Sequence, residues 1–326
     1  MKTCSIALFA GVLGITGATL AAAQPAQLPG GPVGVIPQGG PSIKDAGLAP
    51  NRADIAFASA SKTQTLDVYL PKTRSGAVPA VIYAHPGGFR FGDKSMASAA
   101  IAKGILDHGF AFVTVNYRLS GEARFPAAVQ DLFAAIEYVK SHGAELGIDP
   151  RRIVVYGESA GANLASLAGV AHDEPLFRQT LVNARTDLRP QGVIALYPPV
   201  DFLQIDSMLV AQGCDPQLAT HNSKTGMESV YLGAALTEVP ELVRRANPVT
   251  YVHAGSPRFL LENGTEDCNV GNGQAKLLAD ALRKAGARVK YEIVEGAGHG
   301  GLPFETEANI GKIVGFLKEA FARASR

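Results

Sequence analysis

From about residue 53 onward, short apolar runs too brief for helices alternate with longer segments in which apolar residues recur every three or four positions. ADIAFAS and TLDVYL predict two paired strands, and PAVIYAHP a buried strand with a turn after it. FAFVTVNY, RRIVVYG, GVIALYPPV, RFLLENG and VKYEIVE predict further strands. Helical spacing covers residues 95–107, the segment PAAVQDLFAAIEYVKSHGAELG with Pro126 suited to a first-turn position, ANLASLAGVAH, and residues 273–285 and 306–324. This alternation predicts an α/β fold, a mostly parallel sheet with helices on both faces. Asp201 to Asn247 breaks the rhythm and reads as a small cap insertion over the carboxyl ends of the strands, where open α/β sheets bind ligands. No tandem repeat is present.

The start of the chain follows other rules. Residues 1–23 carry Lys2, then an apolar stretch, then a run of alanines before Gln24, the layout of a cleavable signal peptide. The apolar segment is rich in Gly, Ala and Thr and falls short of the roughly 20 strongly apolar residues of a membrane span. Export to a periplasmic or extracellular space is therefore expected, with no stable membrane span after cleavage. Residues 24–52 are dense in Pro and Gly without periodicity and predict an arm or linker outside the core, leaving 53–326 as one domain.

With 30 basic and 29 acidic residues the net charge is +1, which gives no electrostatic case for nucleic acid or an anionic membrane. Of three cysteines, Cys4 lies in the leader, so the mature chain keeps Cys214 and Cys268, a candidate disulfide in an oxidising compartment.

The candidate chemistry centres on V-Y-G-E-S-A-G, residues 155–161, where Ser159 stands between Gly157 and Gly161, after a strand and before a helix. A serine hydroxyl is a weak nucleophile; it needs a sharp, exposed turn, an adjacent base and donors for the developing oxyanion. N-G-T-E-D and G-A-G-H-G follow later strands and supply Asp267 as orienting acid and His299 as base. Glu266, Glu262 and Asp201 are competing acids. Ala160 is the first oxyanion donor, and Gly87 or Gly88 of H-P-G-G-F the second; Pro86 removes one possible N–H from that loop. His85 reads as a structural residue of the same loop, and His108, His142, His172, His221 and His253 as scattered surface or packing residues. G-A-G-H-G-G, residues 296–301, literally fits a dinucleotide fingerprint, but too little chain follows for the second strand such a site requires. Neither a metal nor a nucleotide cofactor has a motif behind it, so the expected cofactor is none.

HPGGFRFGDK, VNYRLS, FPAAVQDLFAAIEYV, GIDPRRIVVYGESAGANLA, NGTED and GAGHG, in this order from about residue 60 to 320, resemble the esterase and lipase branch of the α/β-hydrolase superfamily, including hormone-sensitive-lipase-like and bacterial feruloyl-esterase-like proteins. The resemblance implies a metal-independent carboxylic ester hydrolase working through an acyl-enzyme on a small-molecule or polymer-borne ester. The chain departs from the family pattern at Pro86 and at Asn263, where a histidine commonly precedes Gly-Thr. The competing functions are amide cleavage, as in arylformamidases or peptidases, and a catalytically silent binding protein on the same fold.

Overall fold

The computed structural model describes residues 39–322, so the leader, with Cys4, and the first part of the Pro/Gly-rich segment lie outside the described residues. Eight strands among the described residues build one sheet: β1 (Arg52–Ala56), β2 (Thr65–Tyr69), β3 (Val78–Ala84), β4 (Ala111–Val115), β5 (Ile148–Glu158), β6 (Gly192–Leu196), β7 (Arg258–Gly264) and β8 (Val289–Val294). Their spatial order is β1-β2-β4-β3-β5-β6-β7-β8. β2 runs antiparallel to β1 and β4, and every neighbouring pair from β4 to β8 is parallel.

The helices are α1 (Ala99–Asp107), α2 (Ala127–Ser141), α3 (Gly143–Leu146), α4 (Ala160–Val170), α5 (Ile205–Gln212), α6 (Met227–Leu232), α7 (Pro240–Ala246), α8 (Asn272–Lys284) and α9 (Glu307–Phe321). Successive strand residues point to opposite faces, and both faces are covered. Ile82 of β3, Val155 of β5 and Leu261 of β7 join a core with α2, α4 and α8; Val81, Val154 and Leu260 join a second core with α1 and α9. Residues apolar on both faces explain why the strands read as continuous runs rather than as alternating ones.

Local chemistry fixes the boundaries. Ser98 and Thr306 cap α1 and α9 by accepting the N–H of Ile101 and Asn309. The segment expected as one helix up to Gly147 is two: α2 ends at Ser141, and α3 closes on Gly147, whose φ of +73° suits a glycine cap. Pro126 occupies the N-cap of α2 rather than its first turn.

Ordered packing begins ahead of Ala53. Ile43 is 1% exposed within the α1/α9 core, its N–H donates to the Ala97 carbonyl at 2.8 Å, and the Gly40 N–H donates to Glu305 Oε1 at 3.1 Å. A lone isoleucine among prolines and glycines carries no periodicity, so this docking leaves no pattern in the sequence. Residues 201–247 contain α5, α6, α7 and short 3₁₀ turns and no strand. No helix of the described residues is long and apolar enough to cross a membrane.

Candidate active site

β5 ends at Glu158 and α4 begins at Ala160, so Ser159 alone makes the turn, with φ +51° and ψ −121°. That conformation disfavours any residue with a Cβ. The flanking glycines answer to space: a Cβ on Gly157 would stand 2.1 Å from the Gly161 carbonyl oxygen, and one on Gly161 2.1 Å from that of Ala84. The Ser159 N–H donates to the Leu196 carbonyl at 3.0 Å, fastening the turn to the end of β6.

The loops after β7 and β8 meet the turn. A Cβ on Gly264 would lie 2.0 Å from the Ala297 carbonyl oxygen, and the Glu266 N–H donates to that same oxygen at 2.8 Å, so the acid loop and the histidine loop are pressed together. His299 Nε2 lies 2.8 Å from Ser159 Oγ, and His299 Nδ1 lies 2.9 Å from Asp267 Oδ2. A carboxylate only accepts, so Nδ1 carries the hydrogen and Nε2 is left to accept from the serine hydroxyl. Asp267 is fully buried. Oδ1 accepts the N–H groups of Asn269 and Val270 at 2.9 and 3.0 Å, and Oδ2 also takes Asn263 Nδ2–H at 3.2 Å. Burial pushes the Asp267 carboxyl up, but His299 and the two backbone donors outweigh it and hold it below its ordinary value.

The competing acids are engaged elsewhere. Asp201 Oδ2 accepts from Gln204 at 2.6 Å, Glu262 pairs with Asn309 at 2.8 Å, and Glu266 is exposed.

Gly87, Gly88 and Phe89 follow β3 with φ of +123°, +58° and +59°. Among the described residues, the N–H groups of Gly87, Gly88 and Ala160 meet no acceptor, which leaves them free for a substrate oxygen. His85 beneath this loop is 1% exposed, stacks on Tyr117 with centroids 4.2 Å apart, and donates Nδ1–H to the Pro86 carbonyl at 2.7 Å. Burial drives its imidazole down to about 4, so it stays neutral and structural.

Other side chains at the site carry no motif. Tyr197, just past β6 with φ +44°, sets its ring edge against His299 at 4.8 Å. Glu158, buried beside Ser159, accepts the hydroxyls of Tyr156 and Tyr83. Burial raises its carboxyl above the ordinary value, and the tyrosine hydroxyls, Tyr197 included, oppose that rise. The nearest sequence signal was a cluster of tyrosines at strand ends. Asn163 of α4 donates to the carbonyls of Pro199 and Ala246, at 3.0 and 3.1 Å, tying the elbow helix to the end of the insertion. Cys214 and Cys268 form a disulfide immediately beside Asp267.

A family model described as BD-FAE matches residues 66–282, well over half of the chain. The chain belongs to the BD-FAE family. The BD-FAE match begins in β2 and ends in α8, so it takes in the Gly87–Gly88 loop, the turn at Ser159, the insertion and the loop carrying Asp267. Esterase LipQ of Mycobacterium tuberculosis is 27% identical over 255 residues, covering 77% of this chain and 57% of LipQ. The probable isoprenylcysteine alpha-carbonyl methylesterase ICMEL1 of Arabidopsis thaliana is 27% identical over 248 residues, 72% of this chain and 48% of its own length. The chain thus spans about half the length of the curated relatives it matches. Among solved structures, a truncated carbohydrate esterase from gut microbiota superposes on this BD-FAE member with a TM-score of 0.74 at 29% identity, covering 82% of this chain and 95% of that one. A bifunctional GH43-CE protein of Bacteroides eggerthii gives a TM-score of 0.74 at 26% identity, covering 82% and 35%.

Proposed function

We propose that this protein is a serine hydrolase of carboxylic esters, with Ser159 as nucleophile, His299 as base and acid, and Asp267 as the orienting carboxylate. One observation carries the reading: His299 sits between Ser159 Oγ at 2.8 Å and Asp267 Oδ2 at 2.9 Å, with the serine on a turn of positive φ.

In the first half-reaction Ser159 Oγ attacks the ester carbonyl as its proton passes to His299 Nε2. Asp267 holds Nδ1–H and stabilises the imidazolium. The N–H groups of Ala160 and of Gly87 or Gly88 receive the oxyanion. Collapse expels the alkoxide, protonated by His299, and leaves an acyl-serine. Water, deprotonated by His299, then attacks the acyl carbon and releases the acid and the free serine. No cofactor enters these steps.

The names of the relatives and of the solved neighbours support an ester, and the carbohydrate esterase from gut microbiota favours one borne on a sugar, small or polymeric. Residues 201–247 act as a small cap over the site: Met227 touches Gly88, and Tyr231 stacks on Phe89 with centroids 3.9 Å apart. Export belongs to the same proposal, supported by the disulfide. The test is labelling with a fluorophosphonate and turnover of p-nitrophenyl, hydroxycinnamoyl and acetylated-sugar esters beside matched amides. Ser159→Ala should lose both labelling and turnover while staying folded; labelling retained in that variant refutes the assignment.

A further inference from the structure

Three consecutive residues of the acid loop are each held by the insertion. Gln212 Nε2–H donates to the Asp267 carbonyl at 2.9 Å, Cys214 is bonded to Cys268, and His221 Nε2 lies 2.8 Å from the Asn269 carbonyl oxygen. The third tether is unlike an ordinary packing contact. His221 Nδ1 lies 2.7 Å from Glu228 Oε2, and Glu228 is only 4% exposed. Carbonyl and carboxylate both only accept, so both ring nitrogens must donate and His221 is an imidazolium. Burial opposes that charge, but Glu228, with Asp206 behind it, outweighs burial and lifts the imidazole to about 9. The backbone around it is pinned as well: Asp206 accepts the N–H groups of His221 and Asn222, each at 2.9 Å, and Ser229 Oγ donates to the His221 carbonyl at 3.2 Å.

The residue gripped by His221 is one that serves Asp267. Asn269 gives its N–H to Asp267 Oδ1 at 2.9 Å, while its carbonyl is taken by His221. The peptide units on both sides of Asn269 are therefore fixed: each gives an N–H to Asp267 Oδ1, and the second also gives its carbonyl to His221 of the insertion. We infer that His221 is a positioning residue: braced by Glu228, it holds the Asn269 carbonyl and so sets the turn that presents the Asn269 and Val270 N–H groups to Asp267. This rests on the serine hydrolase reading, in which the orientation of Asp267 governs His299. A small misplacement of such a group slows the reaction far more than one hydrogen bond would suggest.

The two ring nitrogens can be separated by isosteric amides. In His221→Gln the amide nitrogen stands near the place of Nε2 and keeps the bond to Asn269; in His221→Asn it stands near Nδ1 and keeps only the partner at position 228. Both are made with Glu228→Gln, so that no buried charge is left unpaired, and compared with each other and with wild type. The glutamine form should keep kcat within about threefold of wild type, whereas the asparagine form should lose on the order of tenfold in kcat with KM and the thermal midpoint close to those of the glutamine form. His221→Asn with Glu228 retained is the second variant and should show the same loss of kcat, together with a lowered thermal midpoint because the buried Glu228 carboxylate then lacks its cation. Equal kcat in the two amide forms, or losses that follow the thermal midpoint alone, overturns the positioning role. A wild-type protein that neither hydrolyses esters nor is labelled at Ser159 overturns the underlying reading instead.

Discussion

The sulfur of Met227 lies over the backbone of Gly88, so close that a Cβ on that glycine would stand 2.0 Å from it. Gly88 belongs to the loop whose free N–H groups are the proposed oxyanion donors, so in the proposed hydrolase the first turn of α6 walls the space beside the reacting carbonyl. Met227→Ala should therefore raise kcat/KM for longer or bulkier esters relative to acetyl esters by roughly 10-fold, the scale of a few methylenes in an apolar pocket. A chain-length series on both proteins decides it; parallel profiles would place the wall elsewhere.

The turn at Ser159 stores backbone strain. Ser159→Gly and Ser159→Ala both remove the hydroxyl and should both be inactive, but only glycine relaxes the positive φ. The glycine variant should be the more stable of the two by about 1 kcal/mol in denaturant unfolding. An alanine variant of equal or greater stability would show that the turn is not strained.

Glu262 of β7 sits wholly inside the α9 side of the sheet with Asn309 on Oε2 and nothing on Oε1 among the described residues. Burial pushes its carboxyl from 4.5 up to about 7. The folded protein thus keeps a proton that the unfolded chain releases near pH 4.5, so the contribution of this group to stability is intact below pH 4.5 and falls as pH rises through 7. Glu262→Gln should match wild type at pH 4.5 and exceed it by about 3 kcal/mol at pH 8. Urea unfolding at the two pH values gives the comparison, and a pH-independent difference would count against it.

Cys214 and Cys268 close a loop with a sequence separation of 54. By the chain-entropy account, the Cys214→Ser/Cys268→Ser double variant should lose about 4 kcal/mol of stability. Unfolding midpoints with and without reductant supply the measurement; reductant should lower the wild-type midpoint and leave that of the variant in place.

Patterns that act over a few residues were readable in the sequence. Gly157 and Gly161 announced the turn at Ser159, and runs such as AFVTV announced strands covered on both faces. The acid was harder, because Asp267, Glu266, Glu262 and Asp201 all lie near the carboxyl ends of strands, Glu262 inside one and the others after one. What separates them is direction: Glu262 lies within a strand and faces α9, Glu266 faces solvent, and Asp201 meets Gln204, whereas Asp267 faces His299. His221 reads as one histidine among several scattered ones, since its partner Asn269 is 48 residues away. Most of the others lie at helix ends: His108 and His142 bond carbonyls of the last turns of α1 and α2, and His172 bonds the Gly169 carbonyl. Ile43 and Tyr197 share the difficulty of His221, each defined by neighbours distant in sequence, and Glu158 does so in part, through Tyr83.

The insertion divides its duties along its length. Residues 212, 214 and 221 hold the loop that carries Asp267, while residues 227 and 231 touch the Gly88–Phe89 loop, and Glu228 and Ser229 are the members of α6 that serve the first group. In the proposed hydrolase, substrate range can then diversify at Met227 and Tyr231 over evolutionary time while Glu228 and Ser229 keep their hold on His221, which makes those two positions the natural place to redesign specificity.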